Sequence, residues 1–167
     1  MPKSDQGVHP GRYQIIPRTL IFLTRADEVL LLKGAPNKRL WANRYNGVGG
    51  HVERGEDVLS AARRELFEET GLANLPLWLC GTIVVNTGEA VGIGIFVFRG
   101  ECSAQEMRPS DEGALEWIEK GRLNDLPLVE DLPLLLPRIL EMRPGDAPFS
   151  ALTDYDEHDR LRMNFAG

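Results

Sequence analysis

Gly50-His51-Val52-Glu53-Arg54-Gly55-Glu56-Asp57-Val58-Leu59-Ser60-Ala61-Ala62-Arg63-Arg64-Glu65-Leu66-Phe67-Glu68-Glu69-Thr70-Gly71-Leu72 lies toward the middle of the chain, and helix stability alone explains it poorly. From Glu56 to Thr70 the pattern is helical: Leu59, Ala62 and Leu66 recur at three and four residues, and Gly71 sits where a C-terminal cap belongs. On such a helix Glu65 precedes Glu68 by three residues and Glu69 by four, so three carboxylates share one face while Leu59, Ala62 and Leu66 take another. Like charges at this spacing destabilise a helix by roughly 0.2–0.5 kcal/mol per pair, and no nearby run of lysines offsets them. A solvated acidic face is the bland reading of this stretch. The sharper reading is a cation site, because hard oxygen ligands gathered on a rigid element suit Mg²⁺ or Mn²⁺ rather than zinc.

Before this helix, Arg18 to Leu23 and Val29 to Leu32 are short apolar runs flanking Thr24-Arg25-Ala26-Asp27-Glu28, which predicts a hairpin. Their continuous apolarity predicts strands buried on both faces. Gly34 to Gly50 reads as a loop. After the helix, Leu77 to Val85 and Val91 to Phe98 read as strands joined by a turn at Asn86-Thr87-Gly88-Glu89, and Ala114 to Ile118 as a further strand. Val129 to Met142 reads as a second helix, with Pro133 acceptable in its first turn and Pro137 removing a hydrogen bond and bending it. Phe149 to Phe165 reads as a strand pair around the polar turn at Asp154 to Asp159. Strands interleaved with two helices, without internal repeats, predict a mixed α/β layered domain.

The chain has 167 residues, 43% hydrophobic and 26% charged, enough for one domain with a core and too little for two ordinary ones. Residues 1–12, with Pro2, Gly7, Pro10 and Gly11, read as a flexible lead-in to a single domain over 13–167. Nineteen basic against 25 acidic residues give −6, which argues against holding a nucleic-acid polymer by broad phosphate neutralisation. Gly50 to Leu72 holds six acidic and three basic residues, and so carries half of that net charge. No apolar run is long enough to span a bilayer and no apolar stretch follows Met1-Pro2-Lys3-Ser4-Asp5, so the expectation is a soluble, cytoplasmic protein without a membrane partner. Cys80 and Cys102 are too few for a disulfide framework and read as reduced packing residues. His9, His51 and His158 are assigned no catalytic part, and Trp78 and Trp117 read as packing residues.

Position by position, the stretch from Gly50 fits the order Gly, five residues, Glu, seven residues, Arg-Glu, an aliphatic residue, any residue, Glu-Glu, any residue, Gly, an aliphatic residue. It resembles the box of the Nudix hydrolase family, completely from Gly50 to Leu72. The resemblance implies an α/β/α sandwich with a central mixed sheet, in which a loop, helix and loop carry the box. It also implies hydrolysis of a nucleoside diphosphate linked to another moiety. By matching position it implies that Glu65, Glu68 and Glu69 are the metal-ligand and base cluster, that Gly49 offers a backbone carbonyl to metal, and that Arg64 orients the carboxylates by reaching Glu68 one turn on. Glu56, at the helix start, suits the helix dipole as well as it suits a metal. Phosphoanhydride oxygens repel hydroxide, so divalent ions must neutralise them and a carboxylate must accept the water proton. Glu65 and the Glu68, Glu69 pair stay open for that last part.

Outside the box the chain resembles the MutT-type branch, whose animal members sanitise the nucleotide pool by hydrolysing oxidised purine nucleoside triphosphates such as 8-oxo-dGTP. Arg44-Tyr45-Asn46-Gly47-Val48-Gly49-Gly50 resembles the branch's segment before the box, which implies purine contacts from Asn46 and Tyr45; Asn46-Gly47 also reads as a plain turn. Ser110-Asp111-Glu112 matches the place of a further acidic metal ligand, with Glu112 preferred over a solvated loop acid. Glu130 and Asp131, before the second helix, match a pair of acids set against the base edge, with helix capping as the competing explanation. Pro148 to Phe165 resembles the branch's closing strand pair. The chain departs from the branch in having Tyr45 for a Trp, and Leu128 and Val129 where an aromatic precedes the acids; Trp41 either supplies a replacement ring or belongs to the core. The expected function is Mg²⁺-dependent hydrolysis of a modified purine nucleoside triphosphate to the monophosphate and pyrophosphate, by a monomer or homodimer, with Mn²⁺ as a substitute metal. Hydrolysis of ADP-ribose, a nucleotide sugar or a dinucleotide is the enzymatic alternative. A nucleotide sensor without turnover is the third; such modules tend to lose a box glutamate, and all are present here.

Overall fold

The computed structural model describes residues 2–7, 9–103, 107–108 and 112–166. Strands β1 (Gln14–Arg25) and β2 (Glu28–Gly34) form the expected hairpin, but they pair only at Thr24 with Val29 and Arg25 with Glu28. Beyond the turn they part, and a segment that reads as loop takes the vacant edges. β3 (Tyr45–Asn46) pairs with Leu32 and Lys33 of β2, while Val48 and His51 bridge to Ile21 and Arg18 of β1. Two residues are too few to leave a periodic signal, which is why β3 is invisible in the sequence.

The helix α1 (Val58–Thr70) starts two residues later than its periodicity suggests, because Asp57 is the N-cap and accepts from the amides of Leu59 and Ser60, both at 3.0 Å. It ends as expected at Gly71, whose φ of 76° is the left-handed cap and whose amide donates to the Phe67 carbonyl at 2.8 Å. Then come β4 (Leu77–Val85), β5 (Val91–Glu101) and β6 (Gly113–Glu119), a short 3-10 segment at Lys120–Asp125, α2 (Leu132–Glu141), β7 (Phe149–Tyr155) and β8 (Leu161–Phe165). Within the lead-in, residues 3–6 form one 3-10 turn. The second helix begins at Leu132 rather than Val129 because Leu128 and Val129 are held against β3: Tyr45 donates to the Pro127 carbonyl at 3.0 Å and its own carbonyl accepts from Val129 at 3.0 Å. It runs through Pro137, which has no N–H to give.

The sheet order is β3-β2-β1-β5-β4-β7-β8, with β6 along the other edge of β2; β1 with β5 and β4 with β7 are parallel and the other pairs antiparallel. One apolar layer packs β1, β4, β5 and β7 against α2 through Leu20, Phe22, Ile83, Val97, Leu135 and Ile139. A second packs the opposite face against α1 through Ile21, Leu23, Phe98, Ala62 and Leu66. The result is an α/β/α sandwich around a mixed sheet, with the middle of β1 buried on both faces as its unbroken apolar run predicts. Cys80 and Cys102 are buried, and Trp78 and Trp117 pack against the two layers. Among the described residues no helix is long and apolar enough to cross a membrane.

Candidate active site

Two glycines let the box close on itself. Gly49 has φ of 153°, and a Cβ there would stand 2.2 Å from the Thr19 carbonyl oxygen of β1. At Gly50 a Cβ would stand 2.5 Å from the Glu65 carboxyl, so the missing side chain is what lets that acid lie against the loop. The loop is tied to β1 by the Thr19 amide, which donates to the Gly50 carbonyl at 2.8 Å.

Arg64 is the hub of the helix face. Its Nε and Nη2 donate to Glu56 at 2.7 and 3.0 Å, Nη1 to Glu65 at 2.7 Å and Glu68 at 3.1 Å, and Nη2 also to the His51 carbonyl at 3.0 Å. Glu56 and then Glu65 push the guanidinium further above its ordinary range. Glu56 also accepts from the Glu53 amide at 3.0 Å, so it is a scaffold for Arg64. Glu69 points inward and is only 8% exposed. Burial first, then the neighbouring Glu65, raises its carboxyl to about 7, while Lys38 and a hydrogen bond from the Gly49 backbone pull the other way. Its Oε2 is buried with no hydrogen-bond partner. Glu112 meets Lys38 in an ion pair across the mouth of the site; Ser110 and Asp111 lie outside the described residues. No three His, Cys, Asp or Glu side chains of the described residues are yet gathered about one point for a metal, and Glu65 and Glu68 are turned to Arg64.

These acids form one wall of a cleft of about 740 Å³, a size usual for small-molecule sites. The cleft brings Gly49, Glu65, Glu68, Glu69 and Glu112 together with Asn46, Glu130, Asp131 and Trp41. Its floor is the sheet face on the α2 side, with Arg18 and Leu20 of β1, Ile93 and Ile95 of β5, Val85 of β4 and Thr153 and Tyr155 of β7. Asn46 accepts from the Gly47 amide at 2.8 Å while belonging to β3. Asp131 occupies the N-cap position of α2 yet closes no side-chain cap hydrogen bond; its Oδ1 is buried and unpartnered, and burial, its largest influence, raises its pKa. Tyr155 titrates high for the same first reason, with Glu130 and Asp131 adding to it.

Tyr45 is not among the residues lining the cleft. It is 5% exposed, sits in the core layer under α2 and donates its hydroxyl to Glu116 of β6 at 2.8 Å. Alternation along a two-residue strand sends Tyr45 and Asn46 to opposite faces, which local spacing fixes only once β3 is known to be a strand. Arg18, Thr153 and Tyr155 line the cleft without having been singled out in the sequence. Arg18, at the head of the apolar run from Arg18 to Leu23, was the available signal.

The NUDIX domain family matches residues 15–139. The oxidized purine nucleoside triphosphate hydrolase of Danio rerio is 32% identical over 126 residues, covering 75% of this chain and 80% of its own. The protein of the same name from Mus musculus is 30% identical over 132 residues, with the same two shares. Among solved structures, the MutT protein of Bacillus halodurans superposes with a TM-score of 0.75 at 24% identity, over 90% of this chain and 97% of that one, a likeness of fold.

Proposed function

Since the chain belongs to the NUDIX family and is a Nudix hydrolase, we propose that it cleaves modified purine nucleoside triphosphates to the monophosphate and pyrophosphate, using Mg²⁺. The observation that carries this reading is where the unpartnered buried polar atoms lie. Of the six such side-chain atoms among the described residues, four belong to residues lining the cleft: Arg18 Nε, Glu69 Oε2, Asp131 Oδ1 and Thr153 Oγ1. Leaving a buried polar atom unpaired costs about 1–3 kcal/mol, so the cleft is built to receive polar groups that the protein itself does not supply. It runs from a carboxylate wall to an aliphatic floor, the order in which a nucleotide presents a metal-bound polyphosphate and a base. The two relatives named for oxidized purine nucleoside triphosphates support that substrate class.

We assign the metal to Glu65, Glu68, Glu69, Glu112 and the Gly49 carbonyl, with Mn²⁺ as a substitute. The donors are all hard oxygens, and Glu69 Oε2 is buried without a partner, which suits such an ion. When bound, the divalent cation would neutralise phosphate charge and lower the pKa of the attacking water. One of Glu65, Glu68 and Glu69 accepts the water proton, and Arg64 holds the acids of its helix in register. Asn46, Glu130 and Asp131 take the purine edge, and Tyr45 acts from behind by fixing the strand that carries Asn46. We place it in the cytoplasm, as a monomer or homodimer.

The test is product identity. With Mg²⁺ and a panel of normal and oxidised nucleotides, pyrophosphate should appear from purine triphosphates. ADP-ribose, nucleotide sugars and dinucleotides yield phosphorylated fragments without pyrophosphate, so turnover of those alone would reassign the enzyme. Glu69→Gln should lower metal-dependent hydrolysis by about 10²- to 10⁴-fold with an unchanged circular dichroism spectrum. An unchanged rate would remove Glu69 from the reacting set.

A further inference from the structure

We propose that Arg18 binds the nucleoside-side phosphate, the one that remains on the monophosphate product; the inference rests on the purine nucleotide reading above. Arg18 lies on β1 opposite Ile95 of β5 and is bridged on its other edge to His51. Two guanidiniums line the cleft among the described residues. Arg44 reaches the Leu128 carbonyl at 3.5 Å, whereas Arg18 makes no ion pair there and its Nε is buried without a hydrogen-bond partner. A buried Nε with no acceptor is unfavourable, and on this half-buried side chain the planar fork of five donors is suited to two oxygens of one phosphate.

Its place in the sheet says which phosphate. The next residue, Thr19, holds Gly50 through its amide at 2.8 Å, and Gly50 abuts the Glu65 carboxyl, so the metal wall begins one residue away. By alternation Arg18 shares a face with Leu20, which packs in the layer under α2, and that face continues through Ile93 and Val85 to Thr153. Arg18 therefore stands at the junction of the acidic wall and the aliphatic floor. A nucleotide with its base toward Asn46 and Asp131 and its outer phosphates toward the glutamates has its first phosphate at that junction. Among the described residues seven carboxylates line the same cleft, so the Arg18 guanidinium, whose Nε has no protein partner, offsets repulsion where the leaving pyrophosphate does not reach.

The experiment is calorimetric titration in EDTA of wild type, Arg18→Gln and Arg18→Lys with the purine monophosphate and with the matching nucleoside. Arg18→Gln should weaken monophosphate binding by about tenfold or more and leave nucleoside binding within about twofold, while Arg18→Lys restores part of the loss. In steady state the same loss should raise KM more than it lowers kcat. Equal losses for both ligands would mean that Arg18 supports the base or the fold, and would overturn the assignment. Unchanged monophosphate binding by Arg18→Gln overturns it as well, with the purine reading intact. Wild-type protein that takes up no purine monophosphate overturns that reading and the assignment together. A thermal melt of each variant identifies a folding defect, in which case Arg18→Lys alone decides by the same ratio.

Discussion

Gly50 and Asp131 each show how one side chain, absent or present, sets the chemistry of the cleft. Adding a Cβ at Gly50 places it 2.5 Å from the Glu65 carboxyl, and that acid has to move. Gly50→Ala should therefore lower kcat/KM by about 10- to 100-fold with little change in melting temperature, because displacement by about 1 Å is enough to cost that much. Asp131 is raised above its usual 3.8 by burial first and by Glu130 to a smaller extent. A carboxyl raised in the folded state binds its proton more tightly there, so its contribution is full below the unfolded value and is lost as pH rises through the folded one. Asp131→Asn stays neutral throughout. Its stability relative to wild type should grow as pH rises above about 4 in urea titrations, and a flat difference would show that Asp131 ionises freely. At the N-cap position of α2, the Asp131 side chain closes no cap hydrogen bond of the regular kind, and its Oδ1 is buried in the cleft wall without a partner.

At the scale of elements, the two helices are anchored by different means, and only one of them is local. α1 carries its own signals in Asp57 and Gly71, one capping residue at either end. α2 ends on a residue far away in the chain: Arg99 of β5, 8% exposed, donates from Nη1 to the carbonyls of Ile139, Leu140 and Met142 at 3.0, 3.1 and 2.6 Å. Arg99→Leu keeps the packing volume and strips those carbonyls, and should lower stability by about 2–4 kcal/mol in denaturant melts. Activity of the folded fraction should stay close to wild type, since Arg99 does not line the cleft. The strand runs of β4 and the hairpin were readable because their apolar patterns are long; β3 was not, since it exists only because β1 and β2 part and leave edges to be paired.

At the scale of the molecule, the sandwich sets an acidic helix face beside a sheet face and leaves the cleft between them. A divalent ion that binds there stabilises the folded state by mass action. At about 100 times its Kd the gain is about 2.7 kcal/mol, or roughly 5–10 °C in melting temperature for a chain of this size. Wild type should show that shift with Mg²⁺ and lose it in EDTA, and Glu69→Gln should show much less; equal shifts would place the ion elsewhere. What the amino-acid order determined by itself was the box, its helix, the family and hence the reaction class, because ligand spacing on one helix is a property of residues three and four apart. It also carried the layered α/β class, through runs of buried strand and capped helix. Only the tertiary structure decided that Tyr45 faces the core while Asn46 faces the cleft, and that Arg18, Asp131 and Thr153 end as unpaired polar atoms around one cavity. Burial and pairing are set by neighbours such as Ile95, His51 and Glu116, which lie 77, 33 and 71 positions from the residues they touch and leave no local mark.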